Sequence, residues 1–348
     1  MIDRQKLYSI ALVSTAMILV LMSIAGGTPF AYITNSGSNN VSVIDTATNT
    51  VTATVSVGYN PLGVAVSPDG TKIYVVNEYN NTVSVINTTT NSITSTVNVG
   101  NDPWGVAVTP DGTKVYVTNY GSNNVSVINT TTNTVTATVN IGKEPMGVAV
   151  IPDGTKVYVT NYGSNNISII DIATNNVTAT VNVGNDPWGV AVTPDGTKVY
   201  VTNSKFDSSG TVSVIDMTTN NVTAKVNVGN NPIGVAVSPD GTKVYVANEY
   251  DNSVSVIDTA TDTVTTTVNM GSLPLGVAVT PDGKKVYVLN LNSNNVSVIN
   301  TTTNTVSASV PVGSQPYGIS VTQNGKNVDI LNGDGTVSAI DTATNTAA

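Results

Sequence analysis

The chain has 348 residues, of which 40% are hydrophobic and only 10% charged, with a net charge of −9 and isolated basic residues, which argues against a nucleic-acid backbone as partner. It contains no His and no Cys, so His-based triads, His metal sites and disulfides are excluded. The remaining mixture, rich in Asn, Thr, Val, Ser and Gly, suits strands and tight turns and disfavours long solvated helices.

The first 28 residues form a targeting segment. Arg4 and Lys6 precede an apolar run from Leu7 to Ala25, and small residues follow at Ala25, Gly26 and Gly27. A basic start, an apolar middle and small residues predict export. The run also approaches the roughly 20 residues of a membrane span, so a cleaved signal and a retained anchor both stay open. The expected location is secreted or cell-surface, with membrane contact only through this segment.

From residue 29 the chain is periodic. Pro-x-Gly recurs at Pro61, Pro103, Pro145, Pro187, Pro232, Pro274 and Pro316, at intervals of 42 residues apart from one of 45. Within one unit, strands are predicted at Val106 to Val108, Val115 to Thr118, Val125 to Ile128 and Val135 to Ile141. Pro110-Asp111-Gly112 supplies a tight turn after the first, and Thr/Asn-rich segments separate the last two. Four antiparallel strands repeated at this length predict an all-β, seven-bladed β-propeller of four-stranded antiparallel blades. A two-sheet sandwich would force near-identical repeats into unequal environments.

Phe30 to Asn60 supplies three strands and lacks a first. The strand Tyr317 to Val321 is expected to complete that partial blade, close a seven-membered ring over 29–326 and leave 327–348 as a surplus partial repeat. Eight blades remain the alternative. Asp329 argues against them, because it puts a carboxylate where other units bury a Tyr.

The strings YVTN at 116–119, 158–161 and 200–203, with a related string at 244–248, resemble the YVTN-repeat β-propeller family over nearly everything from residue 30 to about 341. The resemblance implies seven blades and, through its best-known members, similarity to surface-layer proteins of methanogenic archaea. Lactonases and quinone-dependent dehydrogenases also resemble this fold, but the missing His leaves little to run their sites, so the chain is expected not to be an enzyme.

Strand alternation sends the first–second and third–fourth turns to one face, where they barely vary. The second–third loops and the fourth–first connections emerge on the other, where the sequence varies and aromatics collect. The candidate binding residues are Trp104, Trp188, Tyr79, Tyr120, Tyr162, Phe206 and Tyr250, with Glu78 and Glu249. Packing between blades is the competing role for the two Trp residues. The repeated turn Asp residues are read as structural, and no metal or cofactor is expected. Ten sequons, at Asn40, Asn80, Asn87, Asn124, Asn129, Asn166, Asn176, Asn221, Asn295 and Asn300, are possible N-glycosylation sites. The expected function is a structural, adhesive or protein-binding module of the cell envelope, with proteins or glycans as partners. The alternatives are a module recognising a glycan or small ligand and, last, a propeller hydrolase or oxidoreductase.

Overall fold

The structure is a computed structural model that describes residues 30–204, 209–322 and 324–347. The targeting segment expected over 1–28 and the candidate Phe206 lie outside these residues. The described residues form two compact units that divide between Val181 and Asn182.

The first unit holds four antiparallel sheets. Sheet 1 has three described strands, Phe30–Asn35, Asn40–Asp45 and Thr50–Ser56. Sheet 2 runs from Pro61 to Asn98, sheet 3 from Pro103 to Asn140 and sheet 4 from Pro145 to Asn182, each with four strands in chain order. In sheet 3 the strands are Pro103–Val108, Lys114–Asn119, Asn124–Asn129 and Thr134–Asn140. The second unit repeats the plan in sheets 5 to 8, which begin at Pro187, Pro232, Pro274 and Pro316. The fold is an all-β propeller of antiparallel blades, four-stranded apart from the three described strands of sheet 1, with eight blades, the alternative left open beside the preferred seven.

That difference lies in the tail. Pro316–Val321 does not join sheet 1. It pairs with Asn327–Asn332, placing Ile319 opposite Ile330 and Val321 opposite Val328. Val337–Asp341 and Thr346–Ala347 complete an eighth sheet, so 327–347 is built into the core rather than left over. A neighbouring strand is reached through a short hairpin, whereas capture by residue 30 would close a loop of nearly the whole chain. Asp329 is fully buried there, and burial pushes its carboxyl up to about 7. Burial disfavours the ionised form, so the strand runs through this position at a cost that grows as the carboxyl loses its proton.

Within each unit, sheets bury apolar faces against their sequence neighbours. Tyr74, Val83 and Val85 of sheet 2 share a cluster with Val115, Val117 and Ile128 of sheet 3. Tyr287, Leu289 and Val298 of sheet 7 do the same with Ile319, Val328 and Ile330 of sheet 8. A lone sheet would leave both faces wet, which is why the unit repeats.

The YVTN string is explained by this packing. Thr118 donates to the Met146 carbonyl of the next sheet at 2.9 Å, as Thr202 does to Ile233 at 3.0 Å. Its hydroxyl also accepts from Gly105 N–H at 2.8 Å. A Cβ on Gly105 would sit 2.7 Å from the Met146 carbonyl oxygen, so the Gly of Pro-x-Gly admits the neighbouring backbone. Asn119 Nδ2 donates to Asn124 Oδ1 and Ser126 Oγ at 2.7 and 2.9 Å, fixing the third strand. The ring of Tyr200 is buried and its hydroxyl donates to Asp262 Oδ1 at 2.8 Å, while Lys198 meets the same carboxylate at 2.8 Å. Tyr116 and Lys114 reach Asn175, and Tyr287 and Lys285 reach Asn345, in the same way. The Lys that opens the second strand, at Lys72, Lys114, Lys198, Lys243 and Lys285, therefore latches its sheet to the third–fourth turn of the next.

Asn abundance also has a local cause. Second–third loops turn through left-handed residues at Asn81, Asn123 and Asn165, and third–fourth turns through Asn91, Asn133 and Asn175. Asn tolerates that backbone better than other non-Gly residues.

Candidate functional site

The hydrogen bonds identify two rims within each unit. On one rim, the first–second turn meets the third–fourth turn, as Thr88 N–H donates to the Thr71 carbonyl at 3.1 Å and Thr88 Oγ1 to the Gly70 carbonyl at 2.7 Å. On the other, each second–third loop meets the connection entering its own sheet. Glu78 N–H donates to the Asn60 carbonyl at 3.1 Å, and Tyr120 N–H to the Asp102 carbonyl at 2.9 Å.

The first rim is uniform. Asp111 accepts from Thr109 Oγ1 at 2.5 Å and from Thr113 N–H at 3.1 Å, and these bonds hold its carboxyl below the usual range. Gly112 completes the turn at φ 70°. The turn Asp residues are thus occupied by their own backbone.

The loop rim is where side-chain chemistry differs from sheet to sheet. Its recurring element is a pair: the left-handed residue before each repeated Pro, and the residue after the Asn that ends the second strand. In sheet 2 this is Asn60 with Glu78, in sheet 3 Asp102 with Tyr120, in sheet 6 Asn231 with Glu249 and in sheet 7 Leu273 with Leu291. Asn60 Nδ2 donates to Glu78 Oε2. Burial raises the Glu78 carboxyl, the Asn60 bond lowers it, and the charge of Asp102 raises it again. Asn231 Nδ2 donates to Glu249 Oε2, and Ser204 Oγ donates to Asn231 Oδ1. Glu249 is 3% exposed, and burial pushes it up to about 7.

The structure sorts the aromatic candidates. Tyr79 is 71% exposed and Tyr250 39%. Tyr120 and Tyr162 are half-buried. Trp104 and Trp188 take the packing role that competed with ligand contact: they are 7% and 2% exposed, because the residue after the repeated Pro lies inside the first strand and packs. Trp104 still touches the rim, with its ring 5.9 Å from that of Tyr120, and its indole N–H has no acceptor. Glu78 belongs to the first unit and Glu249 to the second.

Sequence reasoning passed over Tyr59, which is 62% exposed, and over Asn60, Asn231 and Ser204. The available signal was the identity swap at the residue before Pro, whose left-handed backbone marks a turn that presents its side chain. Among the sequons, Asn80, Asn176 and Asn221 are exposed, and the other seven are half-buried. Among the described residues, no group of three or more His, Cys, Asp or Glu is arranged to hold a metal, and no helix is long and apolar enough to cross a membrane.

A model of a YNCE-like β-propeller family matches residues 6–124, 112–208 and 150–240, and a model of a seven-bladed β-propeller lactonase family matches residues 210–312. A stretch of 37 residues is 65% identical to the PE-PGRS family protein PE_PGRS18 of Mycobacterium tuberculosis, covering 11% of this chain and only 8% of that protein. Among solved structures, hydrazine synthase of Kuenenia stuttgartiensis matches with TM-score 0.70 and 24% identity over 80% of this chain and 95% of that one. The dihydro-heme d1 dehydrogenase NirN matches with TM-score 0.78 and 15% identity over 92% of this chain and 72% of that one. A functionally unknown protein of Desulfotomaculum acetoxidans matches with TM-score 0.64 and 20% identity over 79% and 93%. At these identities the structural likenesses speak for the fold alone.

Proposed function

The chain belongs to the YNCE-like β-propeller family, and from that premise we propose that it is a binding module of the cell envelope, secreted or held at the surface, which engages a partner protein through the loop rims of its units. One observation carries the reading. In each unit the uniform rim spends its polar side chains on its own turns, whereas the loop rim varies from sheet to sheet and exposes large aromatic rings, Tyr59 and Tyr79 in the first unit and Tyr250 in the second. Rigid scaffolds carry recognition on variable loops, and exposed Tyr buries much area at small entropic cost. The basic-apolar leader and the YVTN strings, which resemble those of surface-layer proteins, support the envelope location. The reading includes no catalytic step.

Immobilised full-length chain is incubated with native envelope extract, and captured material is compared with that held by the double variant Tyr79→Ala, Tyr250→Ala. Loss of most of the captured protein, with melting temperature unchanged, is expected. Undiminished capture by the variant overturns the proposal.

A further inference from the structure

Three consecutive sheets of the first unit each place a carboxylate at the loop rim: Glu78, Asp102 and Glu144. Each has a Tyr beside it in the loops, at Tyr79, Tyr120 and Tyr162. Glu78 is half-buried and its carboxylate accepts from the neutral amide of Asn60, while Asp102 N–H is held by Asn81 Oδ1 of the same loop at 2.9 Å, close enough for its charge to raise the Glu78 carboxyl. Among the described residues none of the three makes an ion pair. The two ion pairs present, Lys198 with Asp262 and Lys284 with Asp282, both belong to the uniform rim of the second unit. Desolvating a carboxylate without a counter-charge costs stability, and an incoming cation recovers that cost. Tyr59 and Tyr79 stand exposed beside Glu78, with Tyr59 N–H held by Asn80 Oδ1 and Tyr79 N–H by the Tyr59 carbonyl. Ring faces next to carboxylates are what ammonium and guanidinium groups seek. Trp104, buried with an indole N–H that lacks an acceptor, borders the same patch through Tyr120.

We propose that the loop rim of the first unit recognises a basic polypeptide segment, its Lys or Arg side chains entering between Glu78 and Asp102 against Tyr59 and Tyr79. This rests on the binding reading above and names its partner by chemistry. Charge complementarity is the argument for the occupant: the chain carries −9 overall, Lys72 and Lys114 are drawn into latches away from this rim, and Lys143, the one cation among the described loop-rim residues of this unit, stands beside Glu144 in the next sheet and not beside Glu78.

The test uses the full-length chain and a fluorescent oligolysine peptide, with oligoarginine, oligoglutamate and a chitosan oligomer as comparison ligands. Glu78→Gln with Asp102→Asn removes both charges and keeps the backbone, because Asn60 and Asn231 already occupy the position of Asp102 at φ 51°. Asp111→Asn with Asp153→Asn removes two charges from the opposite rim. Asn324 fills that turn in sheet 8, accepting from Thr322 Oγ1 at 2.8 Å and Lys326 N–H at 3.0 Å, so the control pair folds. The rim pair is expected to weaken oligolysine and oligoarginine binding about tenfold, and the control pair less than about twofold. Equal weakening by both pairs, absence of peptide binding, or tighter binding of the chitosan oligomer than of the peptides overturns the proposal. If Tyr79→Ala abolishes envelope capture while Glu78→Gln with Asp102→Asn does not, the basic partner falls and the rim reading stands.

Discussion

At position 329 the chain carries Asp where the other sheets carry Tyr, and both carboxylate oxygens are buried without a partner. Burial raises the folded-state pKa to about 7, whereas the unfolded chain titrates near the ordinary carboxylate value. Between those two values the folded state holds a proton that the unfolded state has released, so stability falls as pH rises from about 4 to 7 and is flat above. Glu249 acts in the same direction. Asp111, Asp171 and Asp258 act oppositely, since hydrogen bonds depress their pKa and their stabilisation is lost as pH falls below the carboxylate range. Highest melting temperature is therefore expected at about pH 4 to 5. Asp329→Asn is expected to stabilise the protein by roughly 2–4 kcal/mol at pH 7 and by much less at pH 4, read from denaturant midpoints. An equal gain at both values would show that ionisation is not the cost. The sequence marked Asp329 as a poor core residue and so argued against an eighth sheet, yet the second strand of that sheet runs through it. It could not show that the hairpin with Pro316–Val321 carries the strand through a buried carboxyl.

At the scale of the element, the repeat strings were legible as strands and turns because Val alternation and Pro-Asp-Gly chemistry are local. What Lys, Tyr and Thr do in those strings was not, because their partners sit about 30 to 60 residues away on the next sheet. The latch varies in a way that tests it. Tyr200 donates to Asp262, whereas the Tyr74 hydroxyl is buried without a partner. Tyr200→Phe is expected to cost about 1–2 kcal/mol, while Tyr74→Phe is neutral or slightly stabilising, in paired equilibrium unfolding curves. Gly105→Ala, which drives a methyl onto the Met146 carbonyl, is expected to cost more than about 2 kcal/mol.

At the scale of the whole molecule, period and strand count revealed the propeller, but blade number turned on one strand with two possible partners. A single chain of near-identical repeats does not distinguish them, since each offers the same apolar edge. Removing 327–348 separates the two arrangements. It strips Val328, Ile330 and Ile340 from the cluster shared with Tyr287 and Val298, so the truncated chain is expected to aggregate on expression. Soluble, cooperatively folding protein would favour a surplus tail. The candidate site was legible only as a rim. Variation and aromatic content located it, whereas burial of Trp104 and Trp188 and the pairing of Asn60 with Glu78 needed side chains in place. The central claim is that one rim is scaffold and the other recognises. Hydrogen exchange of the full-length chain, alone and with captured envelope partner, tests it most directly. Slowed exchange at Glu78, Tyr79 and Tyr120 with unchanged Pro-Asp-Gly turns is predicted, and protection confined to those turns contradicts the account.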